Sequence, residues 1–418
     1  MQAAWTPRSR WAAAAAAVVL AVVAVQAGPW HRQPSGGNPP AASQGSASAS
    51  PGHSESPSPG PSGGASGITG PASVTAMRIV ASTGLFEPVA AATNNASFLI
   101  CVTSSVCYSE IYVGNFPSFE RTADGGVTWH RGAAWPRGGA FVEPNTPSCP
   151  AARTCAVVVG AGIAMTTDGF DHLRVRRLTV PGVTLDGGPM VSCAAADRCV
   201  VSAFSAGGGP SLAYTADGGA TWTSASVPAL GAGTQIWQLR CDRKGYCIAM
   251  GIGGTSTAGT LTVLLSADYG QTWTASRAYS EPDAQTLRLS CGDGRQCMLI
   301  SDTGYLVQVT ATLGGSVTVR RQPLPGVGSR GTGTAVSCVT ARACFVAASA
   351  GGTGVAVIDA TRNGGRTWTS LTLPKVNGQA LGTVALLGCP SRAGCLGLAA
   401  TLSQEASSQD RVLISDLP

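Results

Sequence analysis

Cysteine thiols are the groups in this sequence whose number and spacing first indicate a chemistry. The chain of 418 residues contains 14 cysteines, and all of them fall into pairs with the pattern C-x5-C. In chain order the pairs are Cys101/Cys107, Cys149/Cys155, Cys193/Cys199, Cys241/Cys247, Cys291/Cys297, Cys338/Cys344 and Cys389/Cys395. Paired thiols form disulfides or bind a metal, but only His130 and His172 lie in this region, and the spacing is not usual for zinc. The pairs therefore predict disulfides, no metal site and an oxidising compartment.

A second repeated motif places a carboxylate ahead of a tight turn and a tryptophan behind it. Its four clear copies begin at Thr122 (TADGGVTW), Thr215 (TADGGATW), Ser266 (SADYGQTW) and Thr361 (TRNGGRTW). Eroded copies lie at 166–170 and 310–317. The spacing puts the acidic group, the turn and the aromatic ring within one hairpin.

The chemistry of this motif favours a structural role. Its acidic residues can accept hydrogen bonds from backbone N–H groups of their own turns; they are Asp124, Asp217 and Asp268. Its glycines can adopt the positive φ that such a hairpin demands; they are Gly126, Gly219 and Gly270. The fourth copy has Asn363, whose amide can hold a turn but cannot act as an acid or base. The tryptophans are expected to pack between neighbouring repeats; they are Trp129, Trp222, Trp273 and Trp368.

The elements that position these residues follow from the period of the cysteine pairs. Successive first cysteines are 48, 44, 48, 50, 47 and 51 residues apart, and a period of about 40–50 residues is typical of propellers and solenoids. Each unit contains four apolar strand segments without a helix between them, which predicts antiparallel blades. The sequence therefore predicts an all-β fold, a seven-bladed β-propeller of four-stranded antiparallel blades over residues 74–418.

The last unit reaches its third strand at 412–416 (VLISD) and shows no fourth. A spare strand pattern, 74–83 (VTAMRIVAST), precedes the first unit. We expect this N-terminal strand to complete the last blade and close the ring.

The turn motif resembles the Asp-box, S/T-x-D-x-G-x-T-W, of the sialidase-like and related BNR-repeat β-propeller superfamily. The resemblance extends from about residue 74 onward and implies a bacterial exported member. In such propellers the face opposite to the Asp-box turns usually surrounds the channel mouth and binds ligands. The candidate ligand residues on that face are Trp135, Glu143, Asp186, Trp237, Glu281 and Asp283, with Tyr279, Glu405 and Asp410 beside them.

The resemblance implies three functions. We expect a non-catalytic module that binds a protein or a glycan at the cell envelope, because loops such as 205–211 (SAGGGPS) offer few groups for catalysis. The alternative is a glycoside hydrolase, exo-sialidase-like or endo-glucanase-like, that uses carboxylates at the channel mouth. A chaperone module similar to sortilin or to photosystem assembly factors is the third.

The residues depart from the sialidase pattern. Those enzymes carry an Arg-Ile-Pro motif, whereas Arg78-Ile79 is followed here by Val80. They also bind the substrate carboxylate with three arginines, but only Arg240 and Arg288 lie near inner strands. The sequence shows no clear pair of catalytic aspartates.

The charge content of the chain limits the kinds of partner that we expect. Charged residues make up 11% of the chain and the net charge is +6, with no basic run interleaved with aromatic residues. This pattern argues against nucleic acid as a partner. No motif predicts a cofactor, and we expect a monomer.

The N-terminal part is expected to export and space the propeller. Residues 1–30 carry Arg8 and Arg10 ahead of an apolar run, as in a cleaved signal peptide or a retained membrane anchor. Residues 31–73 are rich in Pro, Ser and Gly and predict a disordered stalk. The predicted location is secreted or on the cell surface.

Overall fold

The computed structural model is all-β and builds a ring of seven antiparallel blades, each with four main strands, as predicted. It describes residues 76–80, 98–113, 116–134, 146–160, 162–185, 190–205, 209–230, 234–255, 258–276, 279–280, 288–293, 295–312, 315–391, 394–402 and 411–416. The predicted leader and stalk lie outside these ranges. Within them, a short 3-10 turn at Gly328–Arg330 interrupts the strands, and no helix is long and apolar enough to cross a membrane.

Blades 1 to 6 take their main strands in chain order from the inside of the ring outwards. Blade 1 contains β2 (Leu99–Cys101), β3 (Cys107–Val113), β4 (Phe116–Thr122) and β5 (His130–Ala134), and blade 2 contains β6 (Ser148–Ala151), β7 (Thr154–Val159), β8 (Gly162–Thr166) and β9 (Arg174–Arg177). Blade 3 contains β11 (Val191–Cys193), β12 (Cys199–Ser205), β13 (Pro210–Thr215) and β14 (Thr223–Ser224), and blade 4 contains β15 (Gln235–Cys241), β16 (Cys247–Thr255), β17 (Ala258–Ser266) and β18 (Thr274–Ala275).

The remaining blades follow the same plan. Blade 5 contains β20 (Arg288–Asp293), β21 (Gln296–Ile300), β22 (Tyr305–Ala311) and β23 (Val317–Pro323), and blade 6 contains β24 (Thr332–Cys338), β25 (Cys344–Ser349), β26 (Ala356–Thr361) and β27 (Thr369–Ser370). Blade 7 contains β28 (Leu381–Ser391), β29 (Gly394–Thr401), β30 (Arg411–Ser415) and the N-terminal strand β1 (Arg78–Val80). Short extra strands, β10 (Val183–Thr184) and β19 (Tyr279–Ser280), pair with β12 and β17.

The core lies between the blades. Met250 and Val263 of blade 4, for example, pack against Leu299 and Val307 of blade 5. Because both faces of a blade are covered by neighbours, the second strands are mostly apolar, as in 155–159 (CAVVV). The first strands of adjacent blades also contact one another and form the inner wall of the ring.

The predicted disulfides are all present. Each crosses the first hairpin of its blade, and the bridged Cα atoms are 3.9–4.1 Å apart. The second cysteine of each pair is 0 or 1% exposed; these residues are Cys107, Cys155, Cys199, Cys247, Cys297, Cys344 and Cys395. Seven such bonds indicate an oxidising, extracellular environment.

The N-terminal strand closes the ring as predicted. It pairs antiparallel with β30, with Ile79 opposite Ile414 and Val80 opposite Leu413. The N–H of Met77 also donates a 2.9 Å hydrogen bond to the carbonyl of Thr372, at the outer edge of blade 6. The two ends of the propeller are thus held in one sheet.

The tryptophans of the turn motif pack between blades. Trp129 of blade 1 contacts the cluster around Leu396 and Leu398 of blade 7, and Trp273 of blade 4 lies in the cluster that contains Val200 of blade 3. Trp222 and Trp368 occupy the corresponding clusters of blades 3 and 6. Each motif therefore joins its blade to the preceding one.

Blade 5 shows how an eroded copy of the motif is accommodated. Its β22 and β23 form a seven-residue ladder, and the turn is closed by Thr312 and Ser316 without an acidic residue. Cys297 pairs with Val309, whereas Cys107 pairs with Thr122, the residue that begins the turn in blade 1. The hairpin of blade 5 is therefore longer than those of the clear copies.

Candidate functional site

The innermost strands of all blades enclose a central cavity of about 710 Å³. Its wall includes residues of the first strands from Phe98 in blade 1 to Pro390 in blade 7. The first cysteines of the seven disulfides also line it, so the hairpin loops surround one end. A cavity of this size suits a small ligand or a short segment of a polymer.

Two arginines on innermost strands line the cavity. Arg240 is on β15 and Arg288 on β20, the innermost strands of adjacent blades, and both side chains are exposed to solvent in the channel. Within the described part of the chain, neither makes a hydrogen bond or an ion pair. The channel wall around Arg240 desolvates its guanidinium and lowers its pKa, although the side chain still contacts solvent in the channel.

The charged groups at the hairpin end of the cavity are engaged in local contacts. Asp242 Oδ1 accepts hydrogen bonds from the N–H groups of Lys244 and Tyr246, at 2.9 and 3.0 Å. Asp293 Oδ1 accepts two from its own loop, at 3.0 and 2.8 Å. Arg243 reaches from blade 4 to blade 2, where it donates a 3.1 Å hydrogen bond to the carbonyl of Pro150.

A serine that precedes the first cysteine links one innermost strand to the next in four places. The Oγ of each serine accepts a hydrogen bond from the N–H of the first cysteine of the following blade. The pairs are Ser148 with Cys193, Ser192 with Cys241, Ser290 with Cys338 (each 2.8 Å) and Ser337 with Cys389 (3.1 Å). These bonds satisfy backbone donors at the inner wall, where an unpaired N–H would be costly.

The other three blades have Ile100, Arg240 and Gly388 at this position. Gly388 is explained by space, because a Cβ there would lie 3.1 Å from the Sγ of Cys101 at the ring closure. Ile100 packs against the core between blades 1 and 2. Arg240 has no acceptor atom and cannot replace the serine, so neither packing nor blade linkage explains it.

Trp237 is an exposed aromatic residue of β15, four residues before Cys241 and next to Gln238. It is the extra residue of a β-bulge between Ile236 and Gln238, and Gln238 lines the cavity wall. Bulges at the same distance from the first cysteine occur at Thr334 and Ala385, which also line the cavity. A bulge re-aims a side chain, and here it leaves the indole 47% exposed.

Of the candidate ligand residues, the structure describes Trp237 and Tyr279. Trp237 is next in the strand to the cavity-lining Gln238 but is not itself a lining residue. The Tyr279 hydroxyl donates a 2.7 Å hydrogen bond to the carbonyl of Val317 and so joins blade 4 to blade 5. The other candidates lie outside the described residues; they are Trp135, Glu143, Asp186, Glu281, Asp283, Glu405 and Asp410.

The turn aspartates are separate from the cavity and none of them lines it. Asp217 accepts hydrogen bonds from the hydroxyl and N–H of Thr221, at 2.6 and 2.9 Å, and from the Thr215 hydroxyl at 2.8 Å. These bonds lower the pKa of Asp217 to about 2. Burial alone would raise the pKa of Asp124, but equivalent bonds from Thr128 and Thr122 lower it to about 2 as well. Such carboxylates are fixed in the ionised form and suit a turn, not proton transfer.

Sequence reasoning missed the serine links and the bulges. Aligning the repeats on their first cysteines would have shown the serine position and the arginine that interrupts it. The bulges depend on register with the second strand, for which the sequence carries no comparable signal.

The ring of blades defines the protein as a β-propeller with a central cavity. No protein-family model and no curated protein matches the sequence. Among solved structures it is similar to YCF48 bound to D1 peptide, with 14% identity, coverage of 82% of this chain and 100% of that chain, and a TM-score of 0.47. It is also similar to YCF48 from Cyanidioschyzon merolae, with 17% identity, coverage of 78% of this chain and 99% of that chain, and a TM-score of 0.48. A third similar structure is an ulvan lyase of family PL25 bound to -[GlcA(1-4)Rha3S]-, with 10% identity, coverage of 77% of this chain and 94% of that chain, and a TM-score of 0.47. Likenesses at these identities concern the fold alone.

Proposed function

We propose that this protein is an exported, non-catalytic binding module that takes a glycan at the end of its central channel opposite to the disulfide hairpins. The observation that carries the proposal is Trp237, which a bulge in an innermost strand leaves 47% exposed, next to Gln238 of the cavity wall. An indole offers a large rigid face at low cost in conformational entropy, and the apolar face of a sugar ring packs on such a surface.

The exposed apolar residues favour a glycan over a protein partner. The large ones among the described residues are Ile79, Val127, Val175, Trp237 and Leu402, and they are spread over four blades. A stable protein interface has a contiguous core of apolar and aromatic side chains. A glycan needs one platform and a few polar groups, which the cavity supplies.

Location, family and activity complete the proposal. The disulfides support an extracellular location for the propeller. Residues 1–30 would direct the chain there, and residues 31–73 would hold the propeller away from the membrane. The protein would act as a monomer. The shared turn hydrogen bonds of Asp124, Asp217 and Asp268 support membership of the Asp-box superfamily. The carboxylates in the described cavity wall, Asp242 and Asp293, are held by backbone N–H groups, which supports binding without hydrolysis.

The test uses the full-length protein on an array of cell-envelope and plant glycans, with Trp237→Ala as the variant. We expect Trp237→Ala to weaken binding about tenfold or more, the loss typical of a well-packed aromatic contact. Val175→Ala is the matched control, because Val175 is also 47% exposed but lies on the outermost strand of blade 2.

Three results would contradict the proposal. Equal glycan affinities of the wild type and Trp237→Ala would show that the glycan does not bind at this end of the channel. Release of new reducing ends from a bound glycan would show a hydrolase. A stoichiometric protein partner captured through Trp237, with no glycan bound, would replace the glycan by a protein.

A further inference from the structure

We propose that a group of arginines on the hairpin face of blades 5 and 6 docks the propeller on an anionic phospholipid surface. The hairpin face is the face that carries the disulfide hairpins and the turns of the repeated motif. The arginines are Arg295, Arg342, Arg362 and Arg366, and we call them the basic patch. This inference goes beyond the proposed function, because it concerns the face opposite to the glycan site and does not depend on that site.

Two loops of blade 6 hold three of these arginines close together. Arg342 is in the disulfide hairpin, and Arg362 and Arg366 are in the turn that contains Gly364. The N–H of Gly364 donates a 2.9 Å hydrogen bond to the carbonyl of Arg342. The carbonyl of Gly364 in turn accepts a 2.7 Å hydrogen bond from Nε2 of Gln308 in blade 5. The hairpin and the turn of blade 6 are therefore fixed to each other and to blade 5.

The hairpin loop of blade 5 adds the fourth arginine to the basic patch. Arg295 precedes Gln296, whose Nε2 would lie 3.2 Å from a Cβ at Gly364. The guanidinium of Arg295 is 4.4 Å from the ring centroid of Tyr246 in blade 4. This cation–π contact fixes the side chain at the junction of the two blades without neutralising its charge.

The turns of blades 5 and 6 lack the acidic residue of the motif. Four other turns carry an aspartate; these residues are Asp124, Asp168, Asp217 and Asp268. Blade 6 has Asn363 at this position, and blade 5 closes its turn with Thr312 and Ser316. The acidic residue in the described part of these loops is Asp293, whose Oδ1 accepts two backbone hydrogen bonds. Four arginines thus face one aspartate.

The charges of the basic patch have no acidic partner in the described part of the chain. Arg342, Arg362 and Arg366 are exposed, and no arginine of the basic patch forms an ion pair with a described residue. Arginines on the same face of blades 1 and 2 do form ion pairs. Arg121 and Arg153 lie 3.6 and 3.7 Å from Oδ2 of Asp171.

The composition of these loops favours phosphate groups over a protein partner. A guanidinium presents a fork of donors that matches phosphate oxygens, and an anionic lipid surface attracts each nearby arginine separately. A stable protein interface has an apolar core. The large exposed apolar side chains among the described residues lie elsewhere; they are Ile79, Val127, Val175, Trp237 and Leu402.

The path of the N-terminal chain favours a membrane as the source of these phosphates. Ala76 forms a parallel bridge with Thr372 of blade 6, as Thr272 of the blade 4 turn does with blade 3. In blade 7, Ala76 therefore takes the place of a turn residue on the hairpin face, next to blade 6. The predicted leader or anchor and the predicted stalk join the propeller on this side. The stalk would give the propeller reach, and the basic patch would set its orientation when it contacts lipid.

The test is hydrogen exchange of the full-length protein reconstituted into vesicles of phosphatidylcholine alone or of an equimolar mixture with phosphatidylglycerol. The basic-patch variant combines Arg342→Gln, Arg362→Gln and Arg366→Gln. The matched control combines Arg174→Gln, Arg176→Gln and Arg177→Gln, which remove the same charge from the exposed outermost strand of blade 2. Both variants should melt with the wild type, because all six side chains are exposed.

We expect the loops around Arg342 and Gly364 of the wild type to exchange at least about threefold more slowly in the vesicles that contain phosphatidylglycerol. Each arginine at an anionic surface strengthens docking about fivefold, so three hold most molecules on the lipid. High salt should remove the difference, because it screens the attraction. The basic-patch variant should lose the difference, and the control should keep it.

Three outcomes would overturn the inference. One is equal exchange of these loops in the two kinds of vesicle, and another is equal protection in the two triple variants. The third is protection of 350–355 (AGGTGV), which lies on the opposite face, in place of the hairpin loops.

Two further measurements separate lipid docking from other kinds of binding. If soluble polyphosphate slows exchange at the basic patch and the anionic vesicles do not, the partner is a soluble polyanion and lipid docking is wrong. The basic-patch variant should keep the glycan affinity of the wild type, and Trp237→Ala should keep the lipid-dependent protection. A failure of one proposal therefore leaves the other standing.

Discussion

At the scale of single residues, the turn motif shows that an ionised carboxylate can be structural. Asn363 forms the same turn as the aspartates, with its Oδ1 accepting the N–H of Thr367 at 2.9 Å and its Nδ2 donating to the Thr367 hydroxyl at 2.7 Å. These contacts span only a few residues, so the motif alone predicts them. Arg240 differs, because it stands out only by comparison with the serine of four other blades and by its place in the cavity wall.

The low pKa of Asp217 predicts the pH dependence of stability. A carboxylate whose folded pKa is about 2, below an unfolded value of about 3.9, contributes stability above the unfolded pKa. That contribution is lost as the pH falls from about 4 to 2. Asp217→Asn should therefore lower the melting temperature near pH 7, flatten its fall with acidification in this window, and match the wild type more closely near pH 2.

The measurement is thermal unfolding followed by circular dichroism between about pH 2 and pH 7, which brackets the window of the linkage. Asp302→Asn is the control, because Asp302 is exposed and makes no hydrogen bond within the described residues. An identical slope in wild type and Asp217→Asn would show that the turn carboxylate does not act on stability.

At the scale of elements, the hairpin turns need consecutive residues with positive φ, and the blades meet this need differently. Gly218 and Gly219 supply it in blade 3, whereas blade 4 has Tyr269 (φ 61°) before Gly270 (φ 83°). In blade 2 the second position is Phe170 (φ 69°), whose ring stacks on Phe119 of blade 1 with centroids 4.1 Å apart. Packing against a neighbouring blade offsets the backbone cost, which a single unit of sequence cannot reveal.

Gly270 has a positive φ and also lies close against the neighbouring blade. Gly270→Ala should therefore be strongly destabilising. A Cβ at this position would overlap Cγ2 of the buried Val200 in blade 3. We expect a loss of about 1–2 kcal/mol from the left-handed conformation and a further loss of about 1–3 kcal/mol from the overlap. Denaturant titration of the unfolding free energy measures the sum.

Gly378→Ala isolates the backbone part of this effect. Gly378 also has a positive φ of 80°, but a Cβ added there would meet no heavy atom within 4 Å. Gly378→Ala should therefore lower the unfolding free energy only by the cost of the left-handed backbone conformation. Equal losses in the two variants would show that close approach to Val200 does not limit blade packing.

The elements that the sequence predicts well are those that repeat. Hairpins bounded by a cysteine pair or by the turn motif occur where expected, because each carries its own local signal. The bulges at Trp237, Thr334 and Ala385 are not predicted, since they arise from register between two strands. The candidate site is therefore only partly accessible from the sequence: the place of Trp237 in its unit makes it a candidate, but the feature that exposes it appears only in the sheet.

At the scale of the whole molecule, the period of the cysteines predicts a ring, and the missing fourth strand of the last unit predicts how it closes. The structure adds how the closing strand is anchored. Met77 packs into the core between blades 6 and 7, and Val80 packs into the core between blades 7 and 1. The strand therefore contributes to two interfaces, and its loss would open the ring at both.

Val80 and Ile79 provide a matched test of this closure. Val80 is 8% exposed and Ile79, its neighbour in the same strand, is 44% exposed. Val80→Ser should lower the unfolding free energy by about 1.5–3 kcal/mol, the cost of losing a buried aliphatic side chain, whereas Ile79→Ser should change it little. Denaturant unfolding of both variants measures the difference, and it should appear as a shift of one cooperative transition because the blades depend on the closed ring. Equal effects, or a separate early transition confined to Val80→Ser, would mean that the N-terminal strand only covers blade 7 and does not hold the ring together.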